Sequence, residues 1–240
     1  MQDVHAGTWS RRDQAFGELL VLLATRPNAT SKSRERLETE LRALESEQPA
    51  TDVSLGLAHA AARVWSYPEH RDAATEILIR LILRAEGPVA EAVMRAFVPD
   101  EALLWDEASR RLLQALQATP NVALAGKGPY FVEQIRQLLP GEAELVADVA
   151  LAITNEAAKQ PGSGYFLTHG EELVDIAMTL QRLGSPAREK GLDLFETLLE
   201  QRAYGAHEVL TTLDSGVPAN EVERPRRRLR HRKGPGARTA

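Results

Sequence analysis

The chain has 240 residues, 43% hydrophobic, with 29 Lys/Arg against 34 Asp/Glu for a net charge of −5, values of a folded protein with one substantial core or an elongated array. It has no cysteine, which excludes disulfides, thiolate metal sites and cysteine nucleophiles. The charge is uneven: residues 224–240 hold eight Lys/Arg and no acid, leaving 21 basic and 34 acidic side chains in the first 223 residues, a net of −13. An acidic body repels nucleic acid, so only the tail is a candidate for phosphate binding.

Asp3 and His5 stand where a signal peptide would carry basic residues, and no apolar run precedes Phe16. No stretch approaches the roughly 18 apolar residues of a membrane span. These features make a cytoplasmic protein the expectation.

In chain order, residues 13–24 predict a helix burying Phe16, Leu19, Leu20 and Leu23 on one face. Pro27-Asn28 ends it. Residues 33–46 carry Leu37, Leu41 and Leu44 opposite a charged face, and Pro49 breaks the pattern. Residues 52–65 bury Val53, Leu57, Ala61 and Val64, with Tyr67-Pro68 as the next break. Residues 71–85 are apolar nearly all round, through Ile77, Leu78, Ile79, Leu81, Ile82 and Leu83. Such a helix is packed on both sides.

Gly87-Pro88 opens a helix through Phe97, and Pro99-Asp100 is expected to cap a long one over 101–118, with Leu104, Ala108, Leu112 and Leu116 inward. Gly126-Lys127-Gly128-Pro129 resembles a phosphate loop only superficially. It lacks the earlier Gly, the following Ser/Thr and the preceding strand, so a turn is expected. Residues 130–139 and 142–158 form a pair around Pro140-Gly141, and 160–170 reads as a loop. No period-two alternation or hairpin signal appears, so strands are not expected.

Residues 172–214 give the clearest pattern. One helix carries Leu173, Ile176, Ala177, Leu180 and Leu183. Gly184 is expected to take the left-handed form, with Ser185 capping the next helix and Pro186 at its first position. That helix carries Leu192, Phe195, Leu198 and Leu199. Tyr204-Gly205 interrupts the chain before Val209, Leu210 and Leu213. Helix pairs thus recur at about 35–40 residues, near the HEAT-type period. The fold class expected is all-α: antiparallel helix pairs stacked as a right-handed, HEAT-like α-solenoid over 1–214, with 215–240 a disordered Arg-rich tail.

The residues Leu173-Val174-Asp175, Leu180-Gln181-Arg182, Arg188, Gly191-Leu192-Asp193, Phe195, Leu198-Leu199, Ala203-Tyr204-Gly205-Ala206 and Leu213-Asp214 carry a resemblance. Over about 45 residues the segment resembles the extreme C-terminal part of large bacterial STAND-type NTPases. The resemblance implies a bacterial helical array that senses a partner or holds a switch closed. The nucleotide-binding domain of that family has no counterpart here, and the matched positions are structural, so no catalytic residue is carried over.

Chemistry-bearing groups are few. His169-Gly170-Glu171-Glu172 is the nearest to a site. It reads either as acids favouring a helix N-terminus or as a metal or acid–base cluster. His207-Glu208 lacks the second histidine of a metalloprotease helix. In the tail, Arg224, Arg226, Arg227, Arg228, Arg230, Arg232 and Lys233 have three readings: binding phosphates, folding back on the acidic body, or no specific role. The aromatics Trp65, Tyr67, Trp105, Tyr130, Phe131, Tyr165 and Phe166 either line a peptide groove or staple adjacent helices.

The functional expectation is a non-catalytic interaction or sensor module with a protein partner and no cofactor. The alternatives are a nucleic-acid-associated protein acting through its tail and a helical metal-dependent hydrolase built on His169, Glu171 and Glu172.

Overall fold

The computed structural model describes residues 3–46, 52–97, 105–125, 130–160 and 164–214. Among them lie twelve α-helices, one short 3-10 turn at Arg95–Phe97 and no strand. The helices are α1 (Asp3–Ala24), α2 (Ser31–Ser46), α3 (Asp52–Val64), α4 (Pro68–Ile82), α5 (Gly87–Met94) and α6 (Glu107–Ala118), then α7 (Pro120–Ala125), α8 (Tyr130–Arg136), α9 (Ala143–Ala158), α10 (Tyr165–Gln181), α11 (Ala187–Glu200) and α12 (Ala206–Asp214). None is long and apolar enough to cross a membrane.

The helices touch mainly their near neighbours in chain order. One succession runs α1 to α3, α3 to α5, α5 to α7, α7 to α9 and α9 to α11; α4 meets α6, and α10 meets α8 and α12. A continuous core runs through them, including Leu57, Trp65, Leu78, Phe97, Leu112, Ile135, Ile153, Leu173 and Leu194. The expected two-sided burial of 71–85 appears in α4, where Ile77, Leu78, Leu81 and Ile82 are buried and Ile79 partly so, while Leu83 beyond its end is exposed.

Local chemistry explains three of the helix starts. Pro68 opens α4 after an extended Tyr67, using a position where no N–H is required. Gly87, at φ +49°, and Pro88 start α5. Asp106 caps α6 by accepting a hydrogen bond from the Ser109 amide at 2.9 Å. The α6 helix therefore starts at 107 rather than 101, and the expected Pro99-Asp100 cap falls outside the described residues.

Five further expectations are corrected. Residues 165–170 are helix, not loop: Tyr165, Phe166 and His169 extend the inward stripe of Leu173, Ile176 and Leu180, and Gly164, at φ +72°, turns the chain into α10. Gly184 does not take a positive φ. Pro186 precedes α11 as its cap residue, and no side-chain cap forms there; the Ser185 hydroxyl bonds the Glu189 carboxylate instead, at 2.7 Å. A six-residue helix, α7, stands between α6 and α8 where none was expected. Finally, α1 is rolled about its axis relative to the expectation. Leu20, Val21 and Ala24 are buried, whereas Phe16 is 38%, Leu19 54% and Leu23 39% exposed.

That roll has a steric cause. Gly17 and Gly56 bring α1 and α3 together backbone to backbone. A Cβ on Gly56 would lie 2.1 Å from the Gln14 carbonyl oxygen, and one on Gly17 would lie 2.6 Å from that of Val53. With Gly17 facing α3, Leu19 and Leu23 are carried to the far side. Leu192 of α11 and Leu210 of α12 are likewise exposed, and Leu194 fills the core place expected of Leu192.

Candidate functional site

The nearest approach to a chemical site lies at the start of α10. His169 is 4% exposed, its ring 4.5 Å from that of Tyr165 one turn earlier. Among the described residues its Nδ1 has no hydrogen-bond partner, nor has one buried carboxylate oxygen of Glu172. Burial pushes the His169 imidazole below its ordinary range and the Glu172 carboxyl above its own, Glu172 being raised further by Glu171 and Asp175 and eased by Arg136. Burial, followed by the Glu172 charge, pushes the Tyr165 phenol up. The three groups of the alternative metal or acid–base reading diverge: His169 points inward, Glu172 is half-buried and Glu171 is exposed. Among the described residues no group of three or more His, Asp or Glu is gathered as a metal site requires.

The shift on Glu172 gives a measurable pH dependence. A carboxyl whose folded value lies above the ordinary 4.5 destabilises the fold once ionised. The penalty is absent below the unfolded value and grows as pH rises through the folded one. Glu172→Gln is therefore expected to raise Tm at pH 7 by roughly 2 °C, a small gain because water screens a half-buried group. At pH 4 and below the difference should vanish. Thermal melts at both pH values check this, and an unchanged or lowered Tm at pH 7 contradicts it.

The other sequence candidates are dispersed. His207 and Glu208 lie on exposed positions of α12. Gly126-Lys127-Gly128-Pro129, and Arg224, Arg226, Arg227, Arg228, Arg230, Arg232 and Lys233, lie outside the described residues. Of the aromatics, Trp65 and Phe131 are buried and linked through Phe97, with ring centroids at 5.7 and 4.9 Å. Trp105, Tyr165 and Phe166 pack partly against the core, while Tyr67 and Tyr130 are exposed. The stapling reading fits five of the seven.

Two features were not anticipated from the sequence. One is a buried arginine. Arg71 of α4 donates from Nε and Nη2 to both carboxylate oxygens of Asp106 at 2.6 and 3.2 Å, from Nη2 to the Ser109 hydroxyl at 2.6 Å, and from Nη1 to the Trp65 carbonyl at 2.9 Å. Its guanidinium lies 4.0 Å from the Trp65 ring centroid. The Trp65 indole N–H in turn donates to Thr75 at 2.8 Å. The network locks α4 to the N-terminus of α6. Beside it is a pocket of about 180 Å³ lined by Trp105, Asp106, Glu107, Arg110, Glu142 and Leu145. Arg110 bridges Glu107 and Glu142 there. The pocket is polar and smaller than the roughly 300 Å³ at which ligand clefts begin.

The second feature is the outward face of α1. Phe16, Leu19 and Leu23 follow at three- and four-residue spacing, exposed together on one stripe. Arg36 of α2 lies 5.7 Å from the Phe16 ring centroid at its edge. Large apolar side chains grouped on one exposed face mark an interaction surface more than isolated ones do. Comparison of the chain with protein-family models, with curated proteins and with solved structures returns no match.

Proposed function

We propose that the chain is a non-catalytic interaction or sensor module, a HEAT-like α-solenoid akin to the C-terminal array of a STAND-type NTPase, acting on a protein partner. The observation carrying this reading is the exposed Phe16–Leu19–Leu23 stripe on α1. The step-by-step contacts from α1 through α11 support the solenoid part. In such an array each unit buries one face on the next, and an apolar face left uncovered is one that a partner fills. The apolar stripe supplies the driving force, and the arginines around it restrict which partners fit.

Affinity capture from the native host, comparing the full chain with residues 1–223, tests the reading against its alternative. A specific protein retained by both forms is the expected result. Nucleic acid recovered by the full chain alone, in a salt-sensitive manner, would instead make the Arg-rich tail the functional element.

A further inference from the structure

The helices α1 and α11 stand at the two ends of one contact succession, and their outward faces are complementary. On α1, the side away from α3 carries Leu19 and Leu23, with Phe16 at one edge. Arg11 on the same helix, and Arg26 just beyond its end, are exposed and make no ion pair among the described residues.

On α11, Lys190 reaches back to Asp148 of α9 and so marks the side turned toward α9. The opposite side carries Leu192, 43% exposed. At helical spacing around it stand Arg188, Glu189 and Glu196, with Asp193 and Glu200 further round the same side, all exposed, so that four acids outweigh one base. Several acids elsewhere on the body sit in ion pairs, Glu38 with Arg80, Glu76 with Arg111 and Asp175 with Arg136 among them. Asp193, Glu196 and Glu200 sit in none among the described residues.

We propose that copies of this chain associate head to tail, the α11 face of one on the α1 face of the next. The inference rests on the reading of α1 as an interaction surface and names a second copy as its occupant. Apolar Leu192 meets the Leu19–Leu23 stripe, and the α11 carboxylates meet the arginines flanking α1. The contact continues the same helix-on-helix succession that runs inside each molecule. It is heterologous, so each added copy leaves one α1 face and one α11 face open. α1 is about 33 Å long and α11 about 21 Å, so a single helix-on-helix contact gives a small interface, weak and sensitive to salt.

Sedimentation velocity on the purified full chain, across a wide concentration range and at low and high salt, reads the association directly. The expected mass rises with concentration and falls with salt. Leu19→Asp blocks the α1 face and Glu196→Arg the α11 face, and both positions are exposed, so circular dichroism and melting should match the wild type. Each variant alone is expected to dissociate at least ~10-fold more readily. An equimolar mixture of the two should form a heterodimer and nothing larger, because it holds one intact face of each kind per pair.

A wild type that stays monomeric at every concentration overturns the inference, as does a dimer that Glu196→Arg leaves intact. If that monomer still captures a host protein through α1, the interaction reading stands and only the second copy is excluded as occupant.

Discussion

Gly56→Ala is expected to lower Tm by roughly 6–10 °C. An alanine in mid-helix normally gains about 1 kcal/mol over glycine. Here the added methyl would stand 2.1 Å from the Gln14 carbonyl oxygen and 2.8 Å from its carbon. Those are backbone atoms of a facing helix, so no rotamer change relieves the clash; α1 must move off α3. Overpacking of this kind costs about 1–3 kcal/mol, and a contact between two backbones belongs at the upper end. Gly184→Ala is the matched control: its Cβ would meet nothing within 4 Å and its φ is not positive, so its Tm should hold or rise slightly. Equal melting temperatures for the two variants would contradict the close α1–α3 crossing.

Arg71→Met should cost about 3 kcal/mol, again near 10 °C in Tm. Methionine keeps much of the apolar stem but deletes four hydrogen bonds. It leaves the Trp65 carbonyl unpaired and the Asp106 carboxylate without its cation. Removing one partner of a buried pair is expensive because the other stays desolvated. Asp106 is partly open to water, its side chain 33% exposed, which places the effect at the low end of that class. Arg71→Met with Asp106→Asn should recover part of the loss, since a neutral amide still caps α6.

The same pair fixes the sign of the acid response. Burial raises the Asp106 carboxyl, but the hydrogen bonds and charge of Arg71, with those from Ser109, outweigh it and hold the group below its ordinary 3.8. The stabilisation it gives is therefore complete above pH 4 and is lost as pH falls through the lowered value. In Arg71→Met that acid-side loss should shrink. An acid limb identical to the wild type would assign Asp106 a merely local capping role.

The all-helical class was legible because residues such as Leu173, Ile176, Ala177 and Leu180 recur at helical spacing and are all buried, and because Pro68 and Gly87-Pro88 mark real starts. The orientation of α1 was not legible. Its sequence carries Phe16, Leu19, Leu20, Val21, Leu22 and Leu23 around more than half of the helix, so hydrophobicity alone cannot choose the buried side. The choice is made by the missing side chains of Gly17 and Gly56, 39 residues apart in the chain, which only the fold brings together.

Arg71, Asp106 and Ser109 are hidden for a similar reason. A buried arginine has the same one-dimensional pattern as an exposed one, and Asp106 lies inside what the periodicity took for an uninterrupted helix. At α10 the reverse happened. Gly164 and Gly170 read as loop formers, yet Gly164 turns the chain into the helix. Gly170 sits within it because a Cβ there would strike the Tyr204 amide nitrogen at 2.6 Å. The Ala203–Tyr204 segment is held against α10 by the Tyr204 amide donating to the Phe166 carbonyl at 3.2 Å.

The most direct test of the interaction reading replaces the α1 stripe itself. In affinity capture from the native host, the full chain should be compared with the Leu19→Asp/Leu23→Asp double variant at matched folding, verified by circular dichroism. Both positions are exposed, so the fold should survive while the apolar contact is lost. The expected result is a specific protein retained by the wild type and depleted at least ~10-fold by the variant. The same protein retained equally by both would contradict the assignment of the α1 face as the docking surface.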